Sequence, residues 1–145
     1  MSARHDAGLA AVARVRGVRE TDSRIGLQTA LGEQRSAQAR VDELRARVDA
    51  ADAFESGPAA TFLALRQSLE VLGGILGTAE AERNQAATIS EAALARWHQD
   101  KSRLGAIEML LERRAAARRE EAGRREARDL DDLAAQRWLR REAGR

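Results

Sequence analysis

Residues 62–111 read FLALRQSLEVLGGILGTAEAERNQAATISEAALARWHQDKSRLGAIEMLL. Apolar residues recur along this stretch at alternating intervals of three and four residues, with few exceptions. We name this series of positions the ladder. Its positions are Phe62, Leu65, Leu69, Leu72, Leu76, Ala79, Arg83, Ala86, Ser90, Ala93, Trp97, Asp100, Leu104, Ile107 and Leu111. This alternation averages about 3.5 residues, the repeat of a helix whose buried stripe faces a partner helix in a left-handed coiled coil. No period of two competes with it, so the ladder predicts a long helix packed on another helix.

The composition also favours long helices over an ordinary globular core. The chain has 145 residues, of which 3% are aromatic and 33% are charged, and it contains one proline. Such a composition with a 3.5-residue repeat is typical of coiled coils. The absence of cysteine excludes disulfides and cysteine metal sites. No uninterrupted apolar run of membrane-spanning length and no signal-peptide core is present, which predicts a cytoplasmic protein without a membrane span.

The first part of the chain predicts the partner helix, from about residue 6 to residue 53. Its apolar residues are spaced more loosely than those of the ladder. They are Leu9, Val12, Val15, Val18, Ile25, Leu27, Leu31, Val41, Leu44 and Val48. This spacing requires at least one stutter, which we place near Gly26 or Gly32.

A turn at residues 54–58 separates the two predicted helices. Pro58 suits the first position of the second helix, with Ser56 or Gly57 as its cap. The second helix then extends from about residue 59 to residue 142, and so short a connection makes the helices antiparallel neighbours. The predicted fold is all-α, a single coiled-coil domain over residues 1–145. It is an antiparallel coiled-coil hairpin of two long helices in which the second overhangs the first.

Three glycines, Gly73, Gly74 and Gly77, form the weak point of the second helix. The ladder keeps its phase from Leu72 to Leu76 across them. We therefore expect a close approach of the first helix or a mild bend here, and not a break.

The second helix is predicted to outrun the first. Antiparallel pairing about the turn places Trp97 near Val15 and Leu111 near the start of the chain. Residues 112–145, about 50 Å of helix, then have no partner within the chain. This predicted overhang carries an apolar stripe formed by Leu130, Leu133, Ala134 and Trp138. An apolar stripe on a helix with nothing of its own to pack on is a candidate docking surface.

The sequence offers no catalytic or metal-binding constellation. His5 and His98 lie far apart on the predicted hairpin, and LGGILG lacks the Lys and Ser/Thr of a phosphate-binding loop. The adjacent carboxylates Asp131 and Asp132 point to different sides of a helix. We therefore predict a non-enzymatic protein with no cofactor and no metal.

The arginine pairs of the predicted overhang admit two interpretations. They could contact nucleic-acid phosphates, but this segment holds 8 acidic residues among 11 basic ones and offers no aromatic stacking platform. We expect instead an arginine-rich pole, shared with Arg14, Arg16 and Arg19, that suits an acidic protein surface. Trp97 is expected to pack in the seam, which is the contact between the two helices. Trp138 is expected to contact a partner. The predicted partner-binding residues are Arg16, Arg19, Arg124, Arg125, Arg128, Asp131, Leu133, Arg137 and Trp138.

Residues 93–137 resemble the C-terminal half of the FliJ family, the soluble stalk proteins of the flagellar type III export apparatus. The matching elements are ALARW at 93–97, Lys101 with Arg103-Leu104, Glu112-Arg113, and DDLA at 131–134 followed by Arg137. The chain departs from the family pattern at Asp132, where the family often has Glu, and in its glycine cluster.

This resemblance implies a non-catalytic stalk whose end bearing both termini enters the pore of the hexameric export ATPase, with residues 54–61 as the distal tip. It implies three partners, namely that ATPase, the membrane export gate and the export chaperones, and no nucleic acid. The protein would be cytoplasmic, held at the inner face of the membrane only through its partners. Two alternatives stay open: a generic coiled-coil scaffold that self-associates through the overhang, and the stalk of a virulence type III secretion system.

Overall fold

The computed structural model describes residues 3–52 and 56–144, with the side chains of 6–51 and 56–144. It contains two helices, α1 (Ala3–Asp52) and α2 (Ala59–Ala143). The two helices pack against each other and no strand occurs in the described residues, which confirms the predicted all-α hairpin.

The start of α2 is fixed by Pro58. Its backbone oxygen accepts hydrogen bonds from the amides of Thr61 at 3.0 Å and Phe62 at 3.2 Å. Pro58 thus occupies the cap position and is not the first residue of the helix, which begins at Ala59. Residues 53–55, which include the first part of the predicted turn, lie outside the described residues.

The chain divides into two compact units, each built from one segment of α1 and one segment of α2. Unit 1 combines Met1–Arg16 with Ser102–Arg145, and unit 2 is Gly17–Lys101.

The core of unit 2 confirms the register of the ladder. Val41, Leu44 and Ala79 are buried in one cluster, against which Leu72 and Leu76 pack. The ladder positions of unit 2 are all buried or half-buried except the first, Phe62, which is exposed. The period of 3.5 therefore identified the face of α2 that meets α1.

The buried face of α1 differs from the prediction. One series of its buried and half-buried positions in unit 2 advances by three and four without interruption, so there is no stutter near Gly26 or Gly32. The series is Glu20, Ser23, Leu27, Ala30, Gln34, Ala37, Val41, Leu44, Val48 and Ala51, and Gly17, Thr21, Gly32 and Gln38 are half-buried beside it. Val18, Ile25 and Leu31, which we had assigned to the seam, are exposed.

Polar residues replace these apolar ones because α2 offers them partners. Ser90 Oγ donates a hydrogen bond to Gln34 Oε1 at 2.8 Å, and Trp97 Nε1 donates one to Glu20 Oε1 at the same distance. A buried polar group is tolerated when it is hydrogen-bonded.

The pairing register is shifted from the prediction. Trp97 meets Glu20 and not Val15, and Arg45 pairs with Glu80 at 2.6 Å. Continued toward the turn, this register places the end of α1 level with roughly residue 73 of α2. The beginning of α2 therefore has no α1 residue opposite it in the described part of the chain.

The glycine cluster neither breaks the helix nor lets α1 approach closely. α2 is continuous through Gly73, Gly74 and Gly77, and a Cβ atom built at each would meet nothing within 4 Å. The expectation that the helix is not broken here is confirmed, but α1 does not approach these glycines, which face open space, and the alternative of a mild bend stays a prediction.

By length and composition alone, α2 passes the criteria for a helix able to cross a membrane. None of the qualifying stretch is buried in the protein. A single helix of this kind is weak evidence for a membrane span.

Candidate functional site

The last part of α2 and the residue that follows it, residues 122–144, are exposed at every position, and we name this segment the α2 tail. It belongs to unit 1, and no hydrogen bond or ion pair among the described residues joins it to α1. It exposes large apolar side chains, Leu130 at 60%, Leu133 at 50% and Trp138 at 62%. A helix that presents apolar side chains without packing them is suited to receive a partner.

Local interactions support helix formation at the base of the tail. Glu120 pairs with Arg124 at 3.5 Å and Glu121 with Arg125 at 3.1 Å, in the orientation that stabilises helices. The last turn of α2 carries Arg140 and Arg141, whose charges favour the carboxyl end of the helix dipole.

An ion-pair cluster precedes the tail in unit 1. Asp6 pairs with Arg114 Nη1 at 3.2 Å and also with Arg118, and we name these three residues the arginine clasp. The side chains of Asp6 and Arg114 are only 23% and 24% exposed, whereas that of Arg118 is 56% exposed. Because solvent screens a half-buried pair less than an exposed one, the clasp fastens the start of α1 to α2.

The clasp shows that α1 pairs with α2 further along the second helix than predicted. We predicted that residues 112–145 lie beyond α1, but Arg114 and Arg118 both pair with Asp6. The shifted register is the reason, since it places the first turns of α1 further along α2. Only the α2 tail remains exposed throughout.

Sequence reasoning missed the clasp, although a signal for it was present. Continued past Leu111 by three, four and three residues, the ladder reaches Arg114, Arg118 and Glu121. We ended the ladder at Leu111 because the predicted first helix runs out there. The spacing of three and four residues continues past Leu111, but with charged residues. Two of them, Arg114 and Arg118, pair with Asp6 on α1.

A cleft of about 430 Å³ lies beside the clasp. It is lined by Asp6, Arg114, Ala117, Arg118, Glu121, Ala122 and Arg125. Three arginines against two acids leave this cleft with a positive balance. It can therefore receive an acidic side chain from a partner.

The structure does not gather the predicted partner-binding residues into one cluster. Arg16 is half-buried in unit 1, and Arg19 is exposed in unit 2. The other seven are exposed on the α2 tail, where helical spacing separates most of them onto two sides. One side carries Arg124, Arg128, Asp131 and Trp138, and the other carries Leu133 and Arg137.

Trp97 is a seam residue of unit 2, as expected. Besides its hydrogen bond to Glu20, its ring lies 4.7 Å from Lys101 Nζ and 4.9 Å from the ring of His98. The side chain of His5 lies outside the described residues. Among the residues that are described, no group of three or more His, Cys, Asp or Glu side chains could hold a metal ion.

Comparison with known proteins gives one match. The family model for the flagellar FliJ protein matches residues 5–143, which include the arginine clasp and all but the last residue of the α2 tail. No curated protein and no solved structure matches the chain significantly.

Proposed function

Because the chain belongs to the FliJ family of flagellar proteins, we propose that it is a stalk that couples the hexameric flagellar export ATPase to the export gate and to export chaperones. The family is a non-catalytic, cytoplasmic component of the flagellar export apparatus. On this proposal the chain has no catalytic activity of its own, and it reaches the inner face of the membrane only through its partners.

The observation that carries the proposal is the exposed α2 tail. Its side chains do not bond to α1, because inter-helix hydrogen bonds and ion pairs in the described residues end at Arg118. Leu133 and Trp138 supply apolar contact area, and Trp and Arg are the residue types that dominate binding energy at protein interfaces. We propose that the tail enters the ATPase ring.

The remaining predicted site residues have supporting roles in this proposal. Arg124, Arg125, Arg128 and Arg137 would meet acidic groups of the ATPase, and Asp131 would meet a basic one. Arg16 and Arg19 would add positive charge from α1. Since exposed charges mainly steer association, their removal is expected to slow binding and to increase its salt dependence.

Deletion of residues 124–145 tests the assignment. The truncated protein should keep its helicity and its melting behaviour, since the arginine clasp and the seam remain. It should lose stimulation of the export ATPase. Full stimulation by the truncated protein would show that the tail is not the ATPase-binding segment.

A pair of matched substitutions tests the apolar contacts. We expect Trp138→Ala combined with Leu133→Ala to weaken ATPase binding by about tenfold or more, the scale of an interface hot spot. Met109→Ala removes a comparably exposed apolar side chain outside the tail and should leave the affinity unchanged. Equal effects of the two changes would contradict the proposed contact.

The match to the flagellar family model supports the flagellar apparatus over a virulence secretion system as the setting for this stalk.

A further inference from the structure

A second series of helical positions runs through the last part of α2, beside the ladder, and we name it the tail series. It begins at Ile107, steps by three and four residues in turn, and ends at Trp138. This spacing keeps all of its side chains on one side of the helix. The positions that it shares with the ladder and its continuation, Ile107, Arg114 and Glu121, are half-buried, and the others are exposed. Most of this side of α2 is therefore open to solvent in unit 1.

The charges of the tail series complement each other when the series is read backwards. Its midpoint lies between Glu121 and Arg124, an acid and a base at equal distances from it. Further out, Arg114 and Asp131 are again equally distant from the midpoint and opposite in sign. An antiparallel copy of the helix would therefore bring each of these four charges level with a charge of the opposite sign.

The apolar residues of the tail series match in the same way. Leu110 is as far from the midpoint as Ala135, and Ile107 is as far from it as Trp138. Trp138 and Leu110 are 62% and 39% exposed, so both have apolar area left to bury. An antiparallel copy would thus make apolar contacts at both ends of the series and ion pairs in its middle.

We propose that a second copy of this chain packs on the tail series, antiparallel to the first, with the two-fold axis at the midpoint of the series. An isologous contact uses the same surface patch in both copies, so that patch must be self-complementary. In this register Arg128 lies opposite the partner's Ala117, whose small side chain leaves room for the guanidinium. The partner's Glu121 is then one helical turn away from Arg128.

Other arrangements of the same two faces bring like charges together. A shift by one heptad places Arg124 opposite the partner's Arg128 in one direction and opposite the partner's Arg114 in the other. A parallel pair in register would place every charge opposite its own copy. Since like charges opposite each other disfavour pairing, the sequence selects one register and one orientation.

The cleft beside the arginine clasp lies on the path of the partner helix. Ala117 and Glu121 line it together with Arg114, and its three arginines exceed its two acids. In the proposed register the partner's Asp131 is level with Arg114 and supplies another acid. The guanidinium of Arg114 has five N–H donors, so it can bond both Asp6 and the partner's Asp131.

Two charges of the tail series have no partner in the chain itself. Among the residues that the structure describes, neither Arg128 nor Asp131 makes an ion pair or a side-chain hydrogen bond. Glu121 and Arg124 are 3.8 Å apart within the helix, in an exposed contact of the kind that contributes little. A second copy therefore gives partners to the free charges without breaking a buried contact.

The composition of the contact sets its strength. It spans about 32 residues, roughly 48 Å of helix, but only its ends are apolar and its middle is charged. Because exposed ion pairs add little affinity, we expect a reversible dimer at high protein concentration and a monomer at the low concentrations used for fluorescence. The dimer covers Asp131 and Trp138, which the proposed ATPase contact also uses, so the two contacts exclude each other. The inference does not rest on that proposed function, and its tests contain no ATPase.

Cysteine cross-linking tests the register and the orientation, and the natural chain contains no cysteine to interfere. Ala117→Cys and Arg128→Cys, oxidised as a mixture, should form a disulfide between unlike chains, because these two positions are level in the proposed dimer. Each variant oxidised alone should stay monomeric, since its two copies lie about 16 Å apart along the axis, beyond the reach of a disulfide. A parallel pair would instead cross-link each variant alone. That result, or the absence of a cross-link in the mixture, would overturn the proposal.

A charge reversal with a matched control tests the ion pairs by sedimentation equilibrium. Asp131→Arg should weaken dimerisation by about tenfold, because two attractive contacts with Arg114 become repulsive in each dimer. Asp129→Arg makes the same change in net charge two residues away, on the other side of the helix, and should leave the dimer intact. Equal weakening by both variants would show a general effect of charge and would refute the pairing with Arg114.

The apolar ends are tested in the same measurement. Trp138→Ala should abolish the dimer, because it removes the largest apolar side chain from both ends of the contact. Met109→Ala removes an exposed apolar side chain that lies outside the tail series, and the dimer should persist. A wild-type chain that stays monomeric at every concentration would overturn the proposal and would leave the tail series free for a different protein.

Discussion

At the scale of single residues, Asp6 is the most informative side chain, because it fastens the first turn of α1 to two arginines of α2. We expect Asp6→Asn to lower the free energy of unfolding by about 1 kcal/mol. A half-buried ion pair stabilises a protein more than an ion pair exposed on the surface does. Chemical denaturation followed by circular dichroism would measure the change.

A matched control is Glu43→Gln, which removes a pair with Arg47 whose side chains are 62% and 63% exposed. This substitution should lower the free energy of unfolding by no more than about 0.5 kcal/mol. In an Arg114→Gln background the Asp6→Asn effect should shrink, and an unchanged effect would show that the clasp does not act as a pair.

The glycines of α2 give a second prediction at this scale. Gly74→Ala should stabilise the protein by roughly 1 kcal/mol, because alanine favours the helix and its Cβ meets nothing within 4 Å. Thermal unfolding at low protein concentration would measure it. A destabilised Gly74→Ala variant would mean that a neighbouring group occupies this space in solution.

At the scale of the helices, what could be predicted depended on which side chains form the seam. The ladder of α2 was recognisable because its buried positions are mostly apolar, so their period stands out. The seam of α1 includes Glu20, Ser23 and Gln34, whose burial is acceptable only because hydrogen-bond partners exist. Ser23 donates to backbone oxygens of its own helix, at Arg19 and Glu20. The partners of Glu20 and Gln34 follow from the register between the helices, which the sequence of one helix does not contain.

The corrected seam of α1 predicts which substitutions are costly. Leu44→Ala should lower the free energy of unfolding by about 2–3 kcal/mol, because Leu44 is 7% exposed and packs in the central cluster. Val18→Ala should change it by less than about 0.5 kcal/mol, because Val18 is 61% exposed. Urea denaturation of both variants would measure these changes in the free energy of unfolding. A similar decrease for Val18→Ala and Leu44→Ala would contradict the observed register.

At the scale of the whole molecule, the candidate site was predictable in part. The exposure of Leu133 and Trp138, on two sides of the tail, follows from a helix that is longer than its partner. The arginine clasp was not predictable from apolar periodicity, because charged residues continue the ladder there. The binding partner of the exposed tail depends on the surface of another protein. Only the match to the FliJ family restricts which protein that partner can be.

The two tryptophans allow the proposed binding end to be observed in the full chain. Trp97 is held in the seam by Glu20, whereas Trp138 is 62% exposed. In a Trp97→Phe variant, the emission of Trp138 should be that of a solvated indole and should be quenched by iodide. On addition of the export ATPase it should shift to shorter wavelength and lose several-fold in quenching, because an interface excludes water from its central residues. The Trp138→Phe variant serves as the control, since the emission of Trp97 should not change. A complex that forms while Trp138 stays open to iodide would place the ATPase contact elsewhere on the chain.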